Sequence, residues 1–224
     1  MVIFPNSGRF TRTIIGQGDS YTINSKQKEV VVVLLSGSIN AGQDPARLSL
    51  TRDGAFSPPG AFCLANQELI DVVAVTEAEI CIAEVNSDSE IECKILESPE
   101  CIATGTENTT RDVCRLADNR DGLKNLIVGE TINPAGNWSS WPPHKHDTYT
   151  PDEESQQQEV YLYKFSNPSG FAVQMLNDDP QIVRENDTVK IESGYHPLVA
   201  SPNSELYYLW VLYGDNSFFK VKYK

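Results

Sequence analysis

The chain has 224 residues, of which 40% are hydrophobic and 22% charged, and its formal net charge at pH 7 is -13. This length is sufficient for one large domain or two small ones with a proper buried core. The negative charge argues against a nucleic-acid backbone or an anionic membrane as the main partner. A small anionic substrate remains compatible, since it needs only one or two local cations.

The cysteine pattern and the N-terminus favour a cytoplasmic protein. All five cysteines lie in the first half, the count is odd, and no CxxC pair occurs, so no disulfide framework is expected. Residues 1–6 lack the basic stretch and apolar core of a signal peptide. The most apolar run, residues 30–35, is too short to span a bilayer.

Short strand signals follow one another through the first 85 residues. The β-branched run at residues 28–37 predicts a fully buried strand. Polar turns separate the further strands predicted at residues 10–21, 47–50, 61–65, 70–75 and 79–85. Many closely spaced short strands without a long amphipathic helical period predict an all-β sandwich or barrel.

The middle of the chain is polar and acidic, and strands resume after it. We interpret residues 86–121 as the connection between two halves, with one strand or short helix at residues 91–96. Residues 147–158 are interpreted as a solvated loop near the site. The later strands are predicted at residues 125–131, 159–165, 171–176, 188–192 and 205–213.

The two halves resemble each other faintly. Residues 29–36 align with 159–166 at an offset of 130, and residues 67–74 align with 193–200 at an offset of 126. Nearly equal offsets favour a duplicated all-β unit. In this alignment Ile70 takes the place of His196, and the first half contains no histidine, so a histidine site is expected only in the second half.

Two of the three histidines, His144 and His146, stand one residue apart. Side chains alternate along a strand, so both imidazoles would point to one face. Two converging imidazoles form half of a metal site, and His196 with a carboxylate would complete it. Taken alone, such a pair is more often a coincidence of surface histidines.

A duplicated β-unit with His-x-His, then a Glu and a distant His, resembles the cupins. That resemblance implies that the metal ligands are His144, His146, Glu159 and His196. The 12 residues between His146 and Glu159 exceed the usual spacing, and Glu153 or Glu154 is the alternative ligand. Glu159 is preferred because it opens an apolar strand, whereas the other two lie in loop-like sequence.

More specifically, the chain resembles the 5-deoxy-glucuronate isomerase family of myo-inositol catabolism. The resemblance is carried by GNWSSWPPHKHD at residues 136–147 and by residues 159–165, 194–197 and 206–209. A long acidic loop after the histidine pair also occurs in that family. The resemblance implies an all-β bicupin of two small antiparallel jelly-roll barrels, with an N-terminal domain at residues 1–100 lacking the metal site and a C-terminal domain at 101–224 containing it.

The resemblance also implies a reaction: an aldose and a ketose are interconverted in a small sugar acid. A divalent metal, zinc or manganese, would polarise the carbonyl. A base at the neighbouring carbon is also needed, and the sequence leaves it open among Glu153, Glu154, Asp178 and Asp179. Tyr161 and Tyr208 are further catalytic candidates, as donors of phenolic hydrogen bonds. Lys164 and Arg111 are candidates to bind the substrate carboxylate, with solvated surface positions as the favoured alternative.

Two other functions are compatible with this pattern. A metal cupin oxygenase would use the same ligands on iron and consume dioxygen with a catechol or diketone. A non-catalytic bicupin would bind a sugar acid without turnover. Metal analysis combined with a carbonyl-migration assay on uronates distinguishes the three functions, while the sequence predicts no oligomeric state.

Overall fold

The computed structural model describes residues 1–5, 7–42, 48–64, 69–89, 91–96 and 100–224. In these ranges regular structure consists of β-strands and two 3-10 helices, Glu107–Thr109 and Asn119–Asp121. The all-β prediction is therefore confirmed. No helix in the described part of the chain is long and apolar enough to cross a membrane.

The chain forms two compact units. The first comprises Met1–Pro99 and Leu116–Ile127, and the second comprises Glu100–Arg115 and Val128–Lys224. The proposed division into cupin domains at residue 100 stays a prediction. The units differ from it in placing Leu116–Ile127 with the first part of the chain.

One antiparallel sheet of nine strands builds the first unit. The strands are β1 (Val2–Ile3), β2 (Arg9–Ile15), β3 (Ser20–Ile23), β4 (Lys28–Ala41), β5 (Leu48–Arg52), β6 (Ala61–Leu64), β7 (Ile70–Ala74), β8 (Ala78–Asn86) and β9 (Lys94–Ile95). The long strand β4 pairs with β5, β6, β7 and β8. All its residues from Val30 to Leu35 are buried, as the β-branched run predicts. Residues 47 and 65 of two predicted strands, and residues 67 and 68 of the repeat, lie outside the described ranges.

In the first unit the residues aligned with two of the expected metal ligands make structural contacts. Glu29, aligned with Glu159, is fully buried. Its carboxylate accepts hydrogen bonds from the backbone N–H groups of Lys124 and Asn125 at 2.8 and 2.9 Å, and from the Ser87 hydroxyl at 2.7 Å. Ile70, aligned with His196, packs in the apolar core. The expectation of a histidine site only in the second half stays a prediction.

The second unit contains the remaining strands, except that residues 116–117 of β11 and 126–127 of β12 belong to the first. These strands are β10 (Glu100–Thr104), β11 (Arg111–Ala117), β12 (Leu126–Asn133), β13 (Trp138–Ser139), β14 (His144–Lys145), β15 (Asp147–Thr150), β16 (Glu154–Gln156), β17 (Gln158–Phe165), β18 (Ala172–Leu176), β19 (Asp179–Val183), β20 (Thr188–Ile191), β21 (Leu198–Ala200), β22 (Leu206–Tyr213) and β23 (Lys222–Tyr223). One sheet has the order β10-β11-β12-β22-β17-β20 and another β13-β21-β18-β19. β14 pairs with β23, and β15 with β16.

Strand β17 contributes side chains both to the core of the second unit and to the candidate site. Side chains alternate along a strand, so Glu159, Tyr161 and Tyr163 share one face. Tyr161 and Tyr163 belong to the apolar cluster of this unit, and Glu159 is also buried. The face that forms the core thus ends in a buried carboxylate.

Two segments differ from their predicted structure. Residues 147–158, interpreted as a loop, contain the β15–β16 hairpin, in which Asp147 pairs with Gln156. The polar connection at residues 86–121 contains β9, within the strand or short helix predicted at residues 91–96, and in addition β10 and all of β11. The strands β10, β11, β15 and β16 were not predicted, because these short and partly polar segments show no clear apolar period. Residues 90 and 97–99 of the connection lie outside the described ranges.

The structure contains one disulfide, although no disulfide framework was expected from the sequence. Cys101 on β10 and Cys114 on β11 are bonded to each other and are register partners in the two strands. Cys63, Cys81 and Cys93 are free. An odd count excludes a complete framework but not a single cross-strand bridge, and the pairing of β10 with β11 was not predicted.

Candidate metal centre

His146, Glu159 and His196 converge in the second unit. One ligand atom of each lies within 4.8 Å of the others, and all three residues are buried. Nε2 of His146 lies 3.2 Å and Nε2 of His196 3.4 Å from Oε2 of Glu159. Among the described residues this is the one group of three or more His, Cys, Asp or Glu side chains that could hold a metal ion.

Backbone carbonyls fix the tautomer of all three imidazoles. The Nδ1 atoms of His144, His146 and His196 lie 3.2, 3.1 and 2.9 Å from the carbonyl oxygens of Pro142, Gln157 and Gly194. Because a carbonyl only accepts, each Nδ1 carries the proton, and in the neutral ring Nε2 is left with a lone pair. Metal-ligating histidines are commonly held in this way.

The lone pairs of two histidines face a carboxylate, which is also an acceptor. Nε2 of His196 is buried and has no hydrogen-bond partner, although Glu159 is near, because the angles are unsuitable. Leaving such an atom unpaired costs about 1–3 kcal/mol. A divalent cation between His146, Glu159 and His196 would satisfy all three ligand atoms. The donor set therefore fits a metal ion.

The pKa values of the histidines agree with this arrangement. Burial, followed by the charge of His146, lowers the pKa of His196 to about 3. Burial and then His196 lower that of His144 to about 4. Burial also acts to lower the pKa of His146, but the hydrogen bond and charge of Glu159 outweigh it, and this pKa is raised. Glu159 thus attracts a cation to Nε2 of His146, and a proton and a metal would compete for it.

The histidine pair does not lie on one strand, as the alternation argument assumed. β14 ends at Lys145 and β15 begins at Asp147, and the two strands pair with different partners. His146 lies between them. The rings still converge, because the centroids of His144 and His146 are 6.4 Å apart and those of His144 and His196 are 5.0 Å apart. His144 is half-buried and is not part of the tight group.

The β15–β16 hairpin explains the long spacing between His146 and Glu159. The N–H of Gln157 donates to the carbonyl of His146 at 2.8 Å, and Nδ1 of His146 lies 3.1 Å from the carbonyl of Gln157. These bonds close the base of the hairpin, so residues 147–156 are looped out. Glu159, two residues beyond Gln157, is thereby placed beside His146.

The alternative carboxylate Glu154 stabilises this hairpin instead of facing the histidines. It is buried, and its carboxylate accepts from Nζ of Lys145 and the N–H groups of Asp147 and Thr148 at 2.9 to 3.0 Å. Glu153 is exposed at the turn. Neither residue lines the cavity that opens at His144 and His146.

A cavity of about 240 Å³ opens at the histidines. Its polar wall includes His144, His146, Glu159, Tyr161 and Tyr208. Two arginines and several apolar side chains form other parts of the lining: Arg111, Arg115, Val113, Leu212, Phe219 and Val221. A small ligand in this cavity would meet the candidate metal ligands, phenols, cations and an apolar surface.

Two of the six candidate catalytic residues, Tyr161 and Tyr208, line the cavity. Their hydroxyls lie 3.1 Å from Oγ of Ser140 and 2.6 Å from Oγ of Ser139. Burial, then the charge of Glu159, raises the pKa of Tyr161 well above its usual value. Burial also raises that of Tyr208. Both remain protonated at neutral pH, so they can donate hydrogen bonds but are not bases in the resting site.

The acidic candidates in the β18–β19 turn lie outside the cavity. Asp178 and Asp179 are exposed, and Asp178 is 3.5 Å from Nζ of Lys224. Lys164 is also absent from the lining. Its Nζ donates to Asn186 at 2.6 Å and lies 3.3 Å from Glu185. As the odd spacing from Glu159 predicts, Lys164 faces away from the site.

Arg111 is the candidate carboxylate ligand that does line the cavity. Its guanidinium donates to the carbonyls of Thr109 at 2.8 Å and Trp141 at 3.3 Å. These neutral acceptors orient the group without cancelling its charge. Arg115 was missed by the sequence argument, although strand periodicity places it on the same face of β11. Phe219 and Val221, near the end of the chain, carried no local signal.

Comparison with known proteins identifies similar chains. The KduI/IolB family model matches residues 7–223. A 5-deoxy-glucuronate isomerase of Geobacillus kaustophilus is 29% identical over 214 residues, covering 90% of this chain and 77% of that protein. One of Bacillus subtilis strain 168 is 28% identical over 213 residues, covering 89% and 79%.

Solved structures show the likeness of fold. An IolB-like protein from Salmonella typhimurium has a TM-score of 0.89 and 24% identity, covering 97% of this chain and 87% of that one. A cupin 2 conserved barrel domain protein from Leptotrichia buccalis has a TM-score of 0.59 and 10% identity, covering 95% and 86%. The predicted cupin-like fold is confirmed, whereas the assignment of one barrel to each unit stays a prediction.

Proposed function

Because the chain belongs to the KduI/IolB family, we propose that it is a metal-dependent aldose–ketose isomerase of a small sugar acid. The relatives named 5-deoxy-glucuronate isomerase support the isomerase class and make 5-deoxy-glucuronate the first substrate to test. The observation that carries the metal requirement is the convergence of two buried Nε2 lone pairs on Glu159.

The proposed ligands are His146, Glu159 and His196. His144, which lines the same cavity as His146 and Glu159, is proposed as the fourth ligand. Imidazole and carboxylate ligands suit zinc and manganese, and we propose one of these two. A divalent ion bound here supplies Lewis-acid polarisation of a carbonyl oxygen and its neighbouring hydroxyl. The carbonyl contacts at each Nδ1 hold the rings in place and limit reorganisation on binding.

Arg111 is proposed to hold the carboxylate of the sugar acid. It lines the cavity that contains the histidines, and its guanidinium plane is fixed by two backbone carbonyls. A planar guanidinium can donate two parallel hydrogen bonds to a carboxylate, which fixes orientation as well as position. The reacting end of the substrate would then face the histidines.

Tyr161 and Tyr208 are proposed to donate hydrogen bonds to substrate oxygens. Aldose–ketose isomerisation moves a proton between adjacent carbons and develops negative charge on their oxygens. Phenols that stay protonated can stabilise this charge, and preorganised donors of this kind are effective in a site shielded from water. The serine contacts of both hydroxyls hold them ready on the cavity wall.

The cellular setting remains part of the proposal. We propose cytoplasmic carbohydrate metabolism, specifically inositol catabolism, on the basis of the relatives' activity and the sequence. The Cys101–Cys114 bridge provides a test, because a reducing cytosol keeps most such pairs open. Rapid alkylation of thiols in cell extract, followed by mass analysis, would show whether the bridge is closed where the protein works.

The experiment that tests the function combines metal content with turnover. We expect metal-loaded protein to convert 5-deoxy-glucuronate to its ketose isomer and to exchange one carbon-bound proton with solvent deuterium. His146→Ala/His196→Ala should lose metal and turnover while keeping the β-sheet circular dichroism signal. Gln181→Ala, on the exposed strand β19, is the control. Full turnover by metal-free protein, or no turnover of any uronate by loaded protein, would contradict the proposal.

A further inference from the structure

The C-terminal segment supplies an apolar wall to the cavity. Phe219 and Val221 line it, and the Phe219 ring centroid is 6.2 Å from that of His146. The intervening Lys220 points elsewhere, because its Nζ donates to the carbonyl of Asp152 at 2.8 Å. This alternation is that of an extended chain with one face towards the site.

Two anchors hold this segment in place. On one side, the carbonyl of Lys220 accepts from the N–H and the hydroxyl of Ser155 at 3.0 and 2.9 Å. On the other side, β23 pairs with β14, so that Tyr223 is the register partner of His144. The N–H of Lys224 also donates to the carbonyl of Pro143 at 2.9 Å. The wall is thus tied to the hairpin and to the strand that carries a candidate ligand.

The chemistry of this wall differs from that of the histidines, Glu159 and the tyrosines in the same lining. Phe219 and Val221, like the lining residues Val113 and Leu212, present no polar side-chain atom. A substrate hydroxyl against these side chains loses its hydrogen bonds to water without replacement, which is unfavourable. A methylene group at the same place has no hydrogen bonds to water to lose, and it gains apolar contact.

We propose that Phe219 and Val221 determine specificity by selecting a deoxy sugar acid whose methylene carbon faces the C-terminal segment. This inference rests on the proposed function and names the substrate feature that the site recognises. Arg111 would bind the carboxylate and thereby determine which carbon of the sugar acid contacts Phe219 and Val221. An apolar surface discriminates against an added hydroxyl by at most about 100-fold, and we expect a preference of about 10- to 100-fold.

The test compares kcat/KM for 5-deoxy-glucuronate and for glucuronate, which carries the hydroxyl at carbon 5. Val221→Thr keeps the shape of the side chain and adds a hydroxyl, and Phe219→Ser removes the ring and adds one. We expect each variant to reduce the preference for the deoxy acid by about tenfold. Val173→Thr, on β18 and outside the cavity, is the matched control and should keep the wild-type ratio. The Kd values of both acids for metal-loaded protein, measured by calorimetry, should change in the same direction.

Each outcome decides a different point. Wild-type protein that converts both acids without preference would overturn this inference and leave the isomerase proposal intact. An unchanged ratio in both Val221→Thr and Phe219→Ser, with metal content and circular dichroism preserved, would also overturn it. Wild-type protein that converts neither acid would contradict the isomerase proposal, and the inference about the wall would fall with it.

Discussion

Nε2 of His146 lies 3.2 Å from Oε2 of Glu159, and the opposite nitrogen of that imidazole is held by the Gln157 carbonyl. In the neutral ring two acceptors therefore face each other. The contact is favourable only when a proton or a metal ion lies between them. This one relationship links the tautomer, the raised pKa of His146 and the proposed metal.

The first prediction concerns Glu159→Gln. The amide can donate to Nε2 of His146, so the metal-free variant should be at least as stable as the metal-free wild type at pH 8. The variant should lose the stabilisation that zinc gives the wild type, about 2.7 kcal/mol at a 100-fold excess over Kd. Urea denaturation with zinc and with a chelator measures both quantities. Equal stabilisation of both proteins by zinc would show that Glu159 is not a ligand.

The same variant should change the pH dependence of the metal-free protein. The raised pKa of His146 means that its pairing with Glu159 stabilises the protein below the unfolded pKa of 6.5, and that this contribution is lost as pH rises through the folded pKa. In Glu159→Gln the two largest effects that oppose burial are removed and only backbone hydrogen bonds still oppose it, so the pKa of His146 should fall. Histidine NMR titration of both proteins measures this change.

The second prediction concerns Asp147, which joins the hairpin to the loop before His196. Its carboxylate accepts from Nζ of Lys145 and from the N–H of Gly194, each at 2.6 Å, and the carbonyl of Gly194 in turn holds Nδ1 of His196. Burial acts to raise the pKa of Asp147, but these bonds outweigh it and lower the value from 3.8 to about 2. The carboxylate therefore stabilises the fold above pH 3.8, and this is lost as pH falls through about 2.

The shift corresponds to about 2 kcal/mol. Asp147→Asn should cost about that much in the free energy of unfolding at pH 7 and almost nothing near pH 2. It should also lower metal affinity, since the support of His196 is weakened. Asp178→Asn, whose side chain is 95% exposed, is the control and should change stability by less than about 0.5 kcal/mol. A loss for Asp147→Asn that persists unchanged at pH 2 would contradict the ionic explanation.

The third prediction separates two neighbouring tyrosines of β17. Tyr161→Phe removes a hydroxyl from the cavity wall and should lower kcat by about 100-fold or more, the usual effect of removing one such donor. Tyr163 lies on the same face, but its hydroxyl donates to Gln174 at 2.8 Å and it is not in the lining. Tyr163→Phe should mainly cost about 1–3 kcal/mol of stability by leaving Oε1 of Gln174 without the donor it has in the wild type. Equal kcat losses would argue against a catalytic hydroxyl on Tyr161.

The sequence singled out the side chains that converge, His146, Glu159 and His196, but not the shape of the cavity beside them. The histidines and Glu159 could be chosen because residue type limits metal ligands, and because Glu159 opens an apolar strand. The β15–β16 hairpin could not be predicted, since its polar residues show no alternation. Its structure depends on hydrogen bonds between side chains and the backbone, such as those of the Glu154 carboxylate with backbone N–H groups. Phe219 and Val221 are held at the cavity by tertiary contacts, the pairing of β23 with β14 and the bonds of Ser155 to the carbonyl of Lys220, which the local sequence pattern does not encode.

The last prediction distinguishes between Arg111 and Lys164, the two residues that the sequence indicated as candidates to bind the substrate carboxylate. Arg111 lines the cavity, whereas Lys164 is bonded to Asn186 and lies outside it. Arg111→Gln should raise KM for a uronate by about 10- to 100-fold, because a charged hydrogen bond contributes about 1.5–3 kcal/mol. It should leave KM for the corresponding uncharged sugar unchanged. Lys164→Gln should leave both KM values unchanged, so a uronate-specific rise in KM for that variant, without one for Arg111→Gln, would reverse the assignment.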